Sequence, residues 1–175
     1  MEPSGERSMP RRPENIVVPG PGQESVWDYP RPPDVKPDER LVTVVFAGKE
    51  IAHSNRAIRV LETSHPPTFY IPPGDVLGKG LRASGHATFC EFKGQAIYFD
   101  LQVGGLISKN AAWCYPEPRP PYEVIAGCFS FYPSRVEECT VGGKVVVPQP
   151  GDFYGGWITP DVVGPFKGDP GTMSW

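Results

Sequence analysis

Three residues in one stretch are spaced for shared chemistry: His86, Thr88 and Cys90, two apart within Ser84–Leu101. Alternate positions of a strand share a face, so an imidazole, a hydroxyl and a thiol would line one surface. Glu62 and Lys93 add a carboxylate and an ammonium from outside the row. The first reading to weigh is a cysteine hydrolase. His86 and Cys90 cannot pair directly, because four strand residues span about 13 Å and a nucleophile must approach its base to about 3 Å. An enzyme reading therefore needs a partner from another strand, and it becomes a hydrolase or transferase with His86 and Glu62 as acid and base. The plainer reading makes His86 a hydrogen-bonded histidine inside the fold, Glu62 a rim residue and Lys93 a solvated turn residue.

The elements that must position these residues read as β. Both arms of 84–101 are rich in Val, Ile, Tyr, Phe and Thr, which suit a pleated, half-buried surface. Ile97, Phe99, Leu101 and Val103 alternate with Ala96, Tyr98, Asp100 and Gln102, the period of a strand. The spacing predicts a hairpin bent at Lys93-Gly94, with Gly94 supplying a positive φ. A two-residue turn would pair 90 with 97 and put His86, Thr88 and Cys90 on the face of Ile97 and Phe99. A three-residue turn, Lys93 to Gln95, would pair 90 with 98 and join them to Tyr98 and Asp100. A slip of one residue flips every side chain. The second register separates polar from apolar on both arms and is the one favoured.

Short strand-like runs recur every 8 to 12 residues with Gly/Pro turns between them: 41–46, 50–53, 57–62, 68–71, 111–115, 127–132, and a hairpin of 136–140 with 144–147 across Gly142-Gly143. That rhythm predicts an all-β sandwich or similar fold. Residues 76–85 read as a glycine-rich loop and 106–109 as a connection. In 57–62, Ile58, Val60 and Glu62 share a face, so Glu62 ends an apolar row and needs either solvent or a buried partner. Trp113 with Tyr115, and Cys128 and Ser130 with Tyr132, form further rows. The expected organisation is a proline-rich arm over 1–38 with nine prolines, a β domain over 39–148, and a Gly/Pro/aromatic tail over 149–175. The tail's Phe153, Tyr154, Trp157, Phe166 and Trp175 predict packing on the domain or on a second subunit.

Composition excludes several classes. A net charge of −3 in 175 residues offers no electrostatic case for nucleic acid or an anionic membrane. There is no apolar run of about 18 residues to span a bilayer. The N-terminus lacks the apolar stretch of a secretory signal, so the expected location is cytoplasmic. Four cysteines stand at 90, 114, 128 and 139 without a C-x-x-C pair, so no metal or other cofactor is expected. Reduced thiols in apolar strand text behave as small hydrophobes.

Taken together, Ser54–Glu62, Tyr70-Ile-Pro72, Ser84–Gly94 with Tyr98, Trp113-Cys-Tyr115 and Phe131-Tyr-Pro133 resemble the family known as domain of unknown function 427. The likeness covers roughly residues 41–147. It implies a β-tent fold, two antiparallel sheets pinned at one edge with a pocket between them. Glu91 stands where many members have proline. Some relatives in the wider fold group bind zinc through paired cysteines, and those pairs are missing here. The family's provisional nucleotidyltransferase label meets no paired Asp-x-Asp or P-loop in this chain; only scattered Asp100 and Glu62 could clamp a metal.

The reading preferred on these grounds is a pocket for a small polar or aromatic ligand, lined by Glu62, His86, Cys90, Lys93, Tyr98, Trp113, Tyr115 and Tyr132. Aromatic walls with a few polar points are the usual make-up of such a cleft. Two other readings stand beside it: the His86/Glu62 enzyme, and an interaction module in which arm and tail hold a partner or a second copy as a homodimer.

Overall fold

The structure, a computed structural model, describes residues 12–175. Residues 1–11, the start of the proline-rich arm, lie outside the described residues. The chain is all-β; helix occurs among the described residues only as three-residue 3-10 turns. The strands in order are β1 (Glu24–Ser25), β2 (Asp34–Asp38), β3 (Val42–Phe46), β4 (Lys49–Ser54), β5 (Ala57–Leu61), β6 (Thr68–Tyr70), β7 (Leu81–Cys90), β8 (Gly94–Val103), β9 (Leu106–Cys114), β10 (Ser130–Phe131), β11 (Glu138–Val141), β12 (Lys144–Val145), β13 (Val147–Pro148), β14 (Trp157–Ile158) and β15 (Val162–Val163).

They sort into more sheets than the two expected. One antiparallel sheet runs β10-β9-β8-β7, a second β2-β5-β6, and a third β12-β11-β3-β4. Two short ribbons, β13-β14 and the parallel pair β1-β15, come from arm and tail. The backbones of the first two sheets are joined by a reciprocal pair: Ile71 N–H donates to Phe129 O at 2.8 Å and Phe129 N–H to Ile71 O at 2.9 Å. The third sheet covers the main core, where Val42, Val44, Ile51 and Val141 meet Phe69, Ile71, Leu101 and Phe131. The opposite side of the first two sheets carries an aromatic layer of Tyr70, Tyr98, Trp113, Tyr115, Tyr122 and Tyr132 over Ile58 and Val60. Alternation along each strand assigns each side chain to one layer or the other.

The central hairpin differs in detail from expectation. Its turn is Glu91-Phe92-Lys93, and Cys90 pairs with Gly94, Thr88 with Ala96 and Ala87 with Ile97. Gly94 has φ +102°, so its positive φ opens the second arm rather than closing the turn. The turn sits two residues earlier than the favoured three-residue turn. An even displacement of the pairing leaves the faces unchanged, and Thr88 and Cys90 do share a face with Ala96 and Tyr98. The arms are longer than the apolar pattern implied. β7 begins at Leu81 inside the expected loop, and β9 begins at Leu106 directly after the Gly104-Gly105 turn. Both extensions escape a period-two reading because they are irregular. β7 shifts register between Ala83 and Ala87, around Gly85 at φ +86°. β9 is broken at Asn110, φ +48°, whose N–H donates to Asp100 Oδ1 at 2.8 Å.

Arm and tail are held to this framework by buried contacts. Residues 34–38, grouped with the arm on composition, form an edge strand against β5, where Pro37 costs no interior ladder bond. Arg59 of β5 pairs with Glu24 at 3.3 Å and Asp38 at 3.3 Å. Trp27 packs edge-on to Trp175 with centroids 5.2 Å apart. Trp157 is fully buried, stacks on Phe69 at 4.9 Å and donates its indole N–H to Phe131 O at 2.9 Å. Removing a buried Trp side chain costs about 3–5 kcal/mol. Trp157→Ala is therefore expected to lower unfolding free energy by about that amount in urea titrations. A loss under about 1 kcal/mol would mean that the tail unfolds apart from the sheets.

Candidate functional site

A pocket of about 410 Å³ opens between the first two sheets. β5, β6 and the residues just beyond β5 contribute Val60, Glu62, His65, Thr68 and Tyr70 to one wall. The central hairpin and β9 contribute Thr88, Cys90, Lys93, Tyr98 and Trp113 to the other, continued by Tyr115 and Tyr132. The tail covers it with Gln149, Phe153-Tyr154-Gly155 and Lys167, and the arm adds Arg31. Seven of the eight residues expected at the site are brought together: Glu62, Cys90, Lys93, Tyr98, Trp113, Tyr115 and Tyr132. His86 is the exception. It is exposed on β7 beside the irregularity at 83–87, outside the lining, with its ring 4.6 Å from that of Tyr98. Its ring rests on Tyr98, while Thr88 and Cys90 continue along the strand into the lining.

The aromatic walls are tied together by their polar tips. Trp113 donates its indole N–H to Tyr70 Oη at 3.1 Å. Tyr98 Oη and Thr88 Oγ1 lie 3.0 Å apart. Tyr132 donates its hydroxyl to Phe153 O at 2.9 Å, linking the wall to the tail. Burial pushes the phenols of Tyr70, Tyr115 and Tyr132 up from their ordinary value, so they present neutral hydroxyls. Backbone must pass close over these rings. A Cβ on Gly155 would overlap Cη2 and Cζ3 of Trp113, and one on Gly156 would overlap Gln149 Oε1.

Glu62 and His65 form the polar centre. Glu62, at the end of its apolar row, finds half-buried partners: Arg31 Nη2 at 3.3 Å and His65 Nε2 at 3.4 Å. The histidine tautomer follows from Gln149. That carboxamide accepts Gly156 N–H on Oε1 at 3.0 Å and donates from Nε2 to Lys167 O at 2.8 Å. Its Nε2 is thus the atom facing His65 Nδ1 at 3.1 Å, which must accept. His65 then carries its proton on Nε2, the nitrogen 3.4 Å from Glu62 Oε2. Burial, with the nearby charges of Lys167, Arg31 and Lys93, pushes the His65 pKa down to about 3. The carboxylate opposes that shift, but its contact is long and Arg31 shares it. Both ring nitrogens are engaged, so His65 has no lone pair left for a substrate proton.

His65, Gln149, Arg31 and Lys167 were missed in the sequence. His65-Pro66-Pro67 reads only as a strand break, and the other three sit in aperiodic segments. The Gly155-Gly156 pair before Trp157 was a usable sign of close backbone approach. The four thiols are free, with Cys114, Cys128 and Cys139 buried and Cys90 partly so. Among the described residues no group of three or more His, Cys, Asp or Glu is placed to hold a metal. Asp100 accepts from Asn110 and does not line the pocket. No described helix is long and apolar enough to cross a membrane.

Residues 34–142, more than half of the chain, match the family described as a domain of unknown function (DUF427). No curated protein matches the chain.

His65 gives stability a defined pH dependence. Its pKa falls from the ordinary 6.5 to about 3 on folding, so below 6.5 the unfolded chain takes up a proton that the fold refuses. Stability is therefore lost as pH drops through that window. His65→Gln is expected to be less stable near neutrality but to lose less on acidification. Urea midpoints of both proteins between pH 7 and pH 4 check this, and parallel pH slopes would count against a neutral, buried His65.

Proposed function

We propose that this chain, which belongs to the DUF427 family, binds a small polar or aromatic molecule in the pocket between its first two sheets. The observation that carries this reading is the pocket itself. Its volume of about 410 Å³ lies within the range of small-molecule sites, about 300–1,000 Å³. Flat walls of Trp113, Tyr98 and Tyr132 would stack on a planar ligand, and neutral phenol tips would orient it by hydrogen bonds. The walls are cross-linked by hydrogen bonds before any ligand arrives, which reduces the ordering cost of binding.

The alternatives have less support. Acid–base chemistry by His86 and Glu62 would need both at one substrate, yet His86 lies outside the lining while Glu62 is engaged by Arg31 and His65. For an interaction module of arm and tail, Trp27 and Trp157 are buried within the chain, which leaves Val18, Phe153 and Met173 as the kind of exposed apolar residue it would use.

Native mass spectrometry of protein taken straight from cells, followed by thermal-shift screening of planar small molecules, tests the proposal. The expected outcome is a bound species or a shifting compound whose affinity drops about tenfold in Trp113→Phe, the size of one lost aromatic contact. His86→Ala should bind as the wild type does. If no compound shifts the wild type and nothing co-purifies, the reading fails.

A further inference from the structure

Lys93 is the residue in the pocket that the protein's own contacts leave unexplained. It closes the hairpin turn, with its carbonyl held by the Arg119 N–H at 2.9 Å. Its side chain runs into the pocket lining, and the residue is only 8% exposed. Among the described residues its ammonium has no carboxylate within ion-pair distance and no hydrogen-bond acceptor. Its one recorded contact is the face of Tyr115, 5.6 Å to the ring centroid. Lysine is rarely buried without a partner, because the charge loses hydration and gains nothing in return. The other cations are engaged: Arg31 with Glu62 and Thr63 O, and Lys167 with Trp175 O at 3.0 Å.

Charge in the lining is lopsided in the same direction. Arg31, Lys93 and Lys167 face two carboxylates. Of these, Glu91 is exposed at the mouth and Glu62 is already bound by Arg31 and His65. All three cations act on His65 strongly enough to disfavour its protonation, so their fields overlap inside the pocket. A neutral ligand would leave that field uncompensated.

We infer that the ligand is a planar molecule bearing one carboxylate or phosphate, and that Lys93 binds this anionic group while the flat part lies against Trp113 and Tyr98. The inference rests on the pocket being a binding site, as proposed above, and adds the charge of what it takes. Lys93 gains the counter-ion the fold does not provide, and the aromatic walls exclude the water that would weaken the pair.

The test uses the full chain and three probes of one shape: benzoate, phenyl phosphate and the neutral benzamide, with dissociation constants from ligand-observed NMR. The expected result is that at least one anion binds about tenfold or more tightly than benzamide, the order of one charge-assisted contact. The two anions compared tell carboxylate from phosphate. Lys93→Met should remove that preference, bringing anion binding down to the level of benzamide, and Lys93→Arg should keep it. Both variants retain the stem that packs on Tyr115, and an unchanged urea midpoint reports that they are folded. Equal binding of benzamide and the anions by the wild type, or a preference that survives Lys93→Met, overturns the inference and leaves the pocket reading standing. If none of the three binds, the inference falls, while the pocket reading is decided by co-purification and the thermal-shift screen.

Discussion

The Gln149 carboxamide is the contact on which the site's geometry depends. It is buried, and an unsatisfied buried amide is costly, so its three hydrogen bonds constrain everything around it. One holds the backbone of Gly156, one the backbone of Lys167, and one the ring of His65. Two pieces of the tail and one wall of the pocket are thereby fixed to a single planar group. With Gly156 held there, Gly155 must cross the face of Trp113, where only a residue without a Cβ fits. The hydroxyl of Tyr132 then meets Phe153 O. The cover of the pocket is thus set by one side chain far along the sequence from either sheet.

The same amide determines what His65 can do. An imidazole has two nitrogens, and a base needs one of them free. Gln149 occupies Nδ1, and that forces the proton onto Nε2, toward Glu62. Burial and three surrounding cations keep the ring neutral. The pair resembles an acid–base dyad by residue type, but its hydrogen bonds run inward. Its effect is to hold Glu62 in place, away from Lys93, which has no carboxylate partner among the described residues.

Much of this was legible in the sequence wherever side chains alternate. Ile58 and Val60 in β5 with Glu62 just beyond it, Ala96 and Tyr98 in β8, Trp113 and Tyr115 around the end of β9, and Tyr132 beside Phe131 all fall on the faces their spacing implied. The need of Glu62 for a partner could also be read, because a carboxylate at the end of an apolar row must be solvated or paired. The turn position could not, since Glu91-Phe92-Lys93 carries no turn chemistry that outranks Lys93-Gly94. That error was harmless to the faces because it was even. The expectation for His86 is different: it stands beside the irregularity at 83–87, exposed, with its ring on Tyr98 but outside the pocket lining.

What remained hidden has a common cause. Arg31, His65, Gln149 and Lys167 lie in segments rich in Pro and Gly, where no repeat of two or 3.6 residues exists to assign a face. They meet only because arm and tail pair through β1 and β15 and close over the sheets. Periodicity reports how a strand faces its own core, whereas the polar half of this pocket is assembled from segments whose positions depend on long-range hydrogen bonds. The aromatic half belongs to the sheets and the charged half largely to the loops that cover them. A ligand seated between them would therefore touch both, and its charge would be read by residues whose placement requires the tail to be docked.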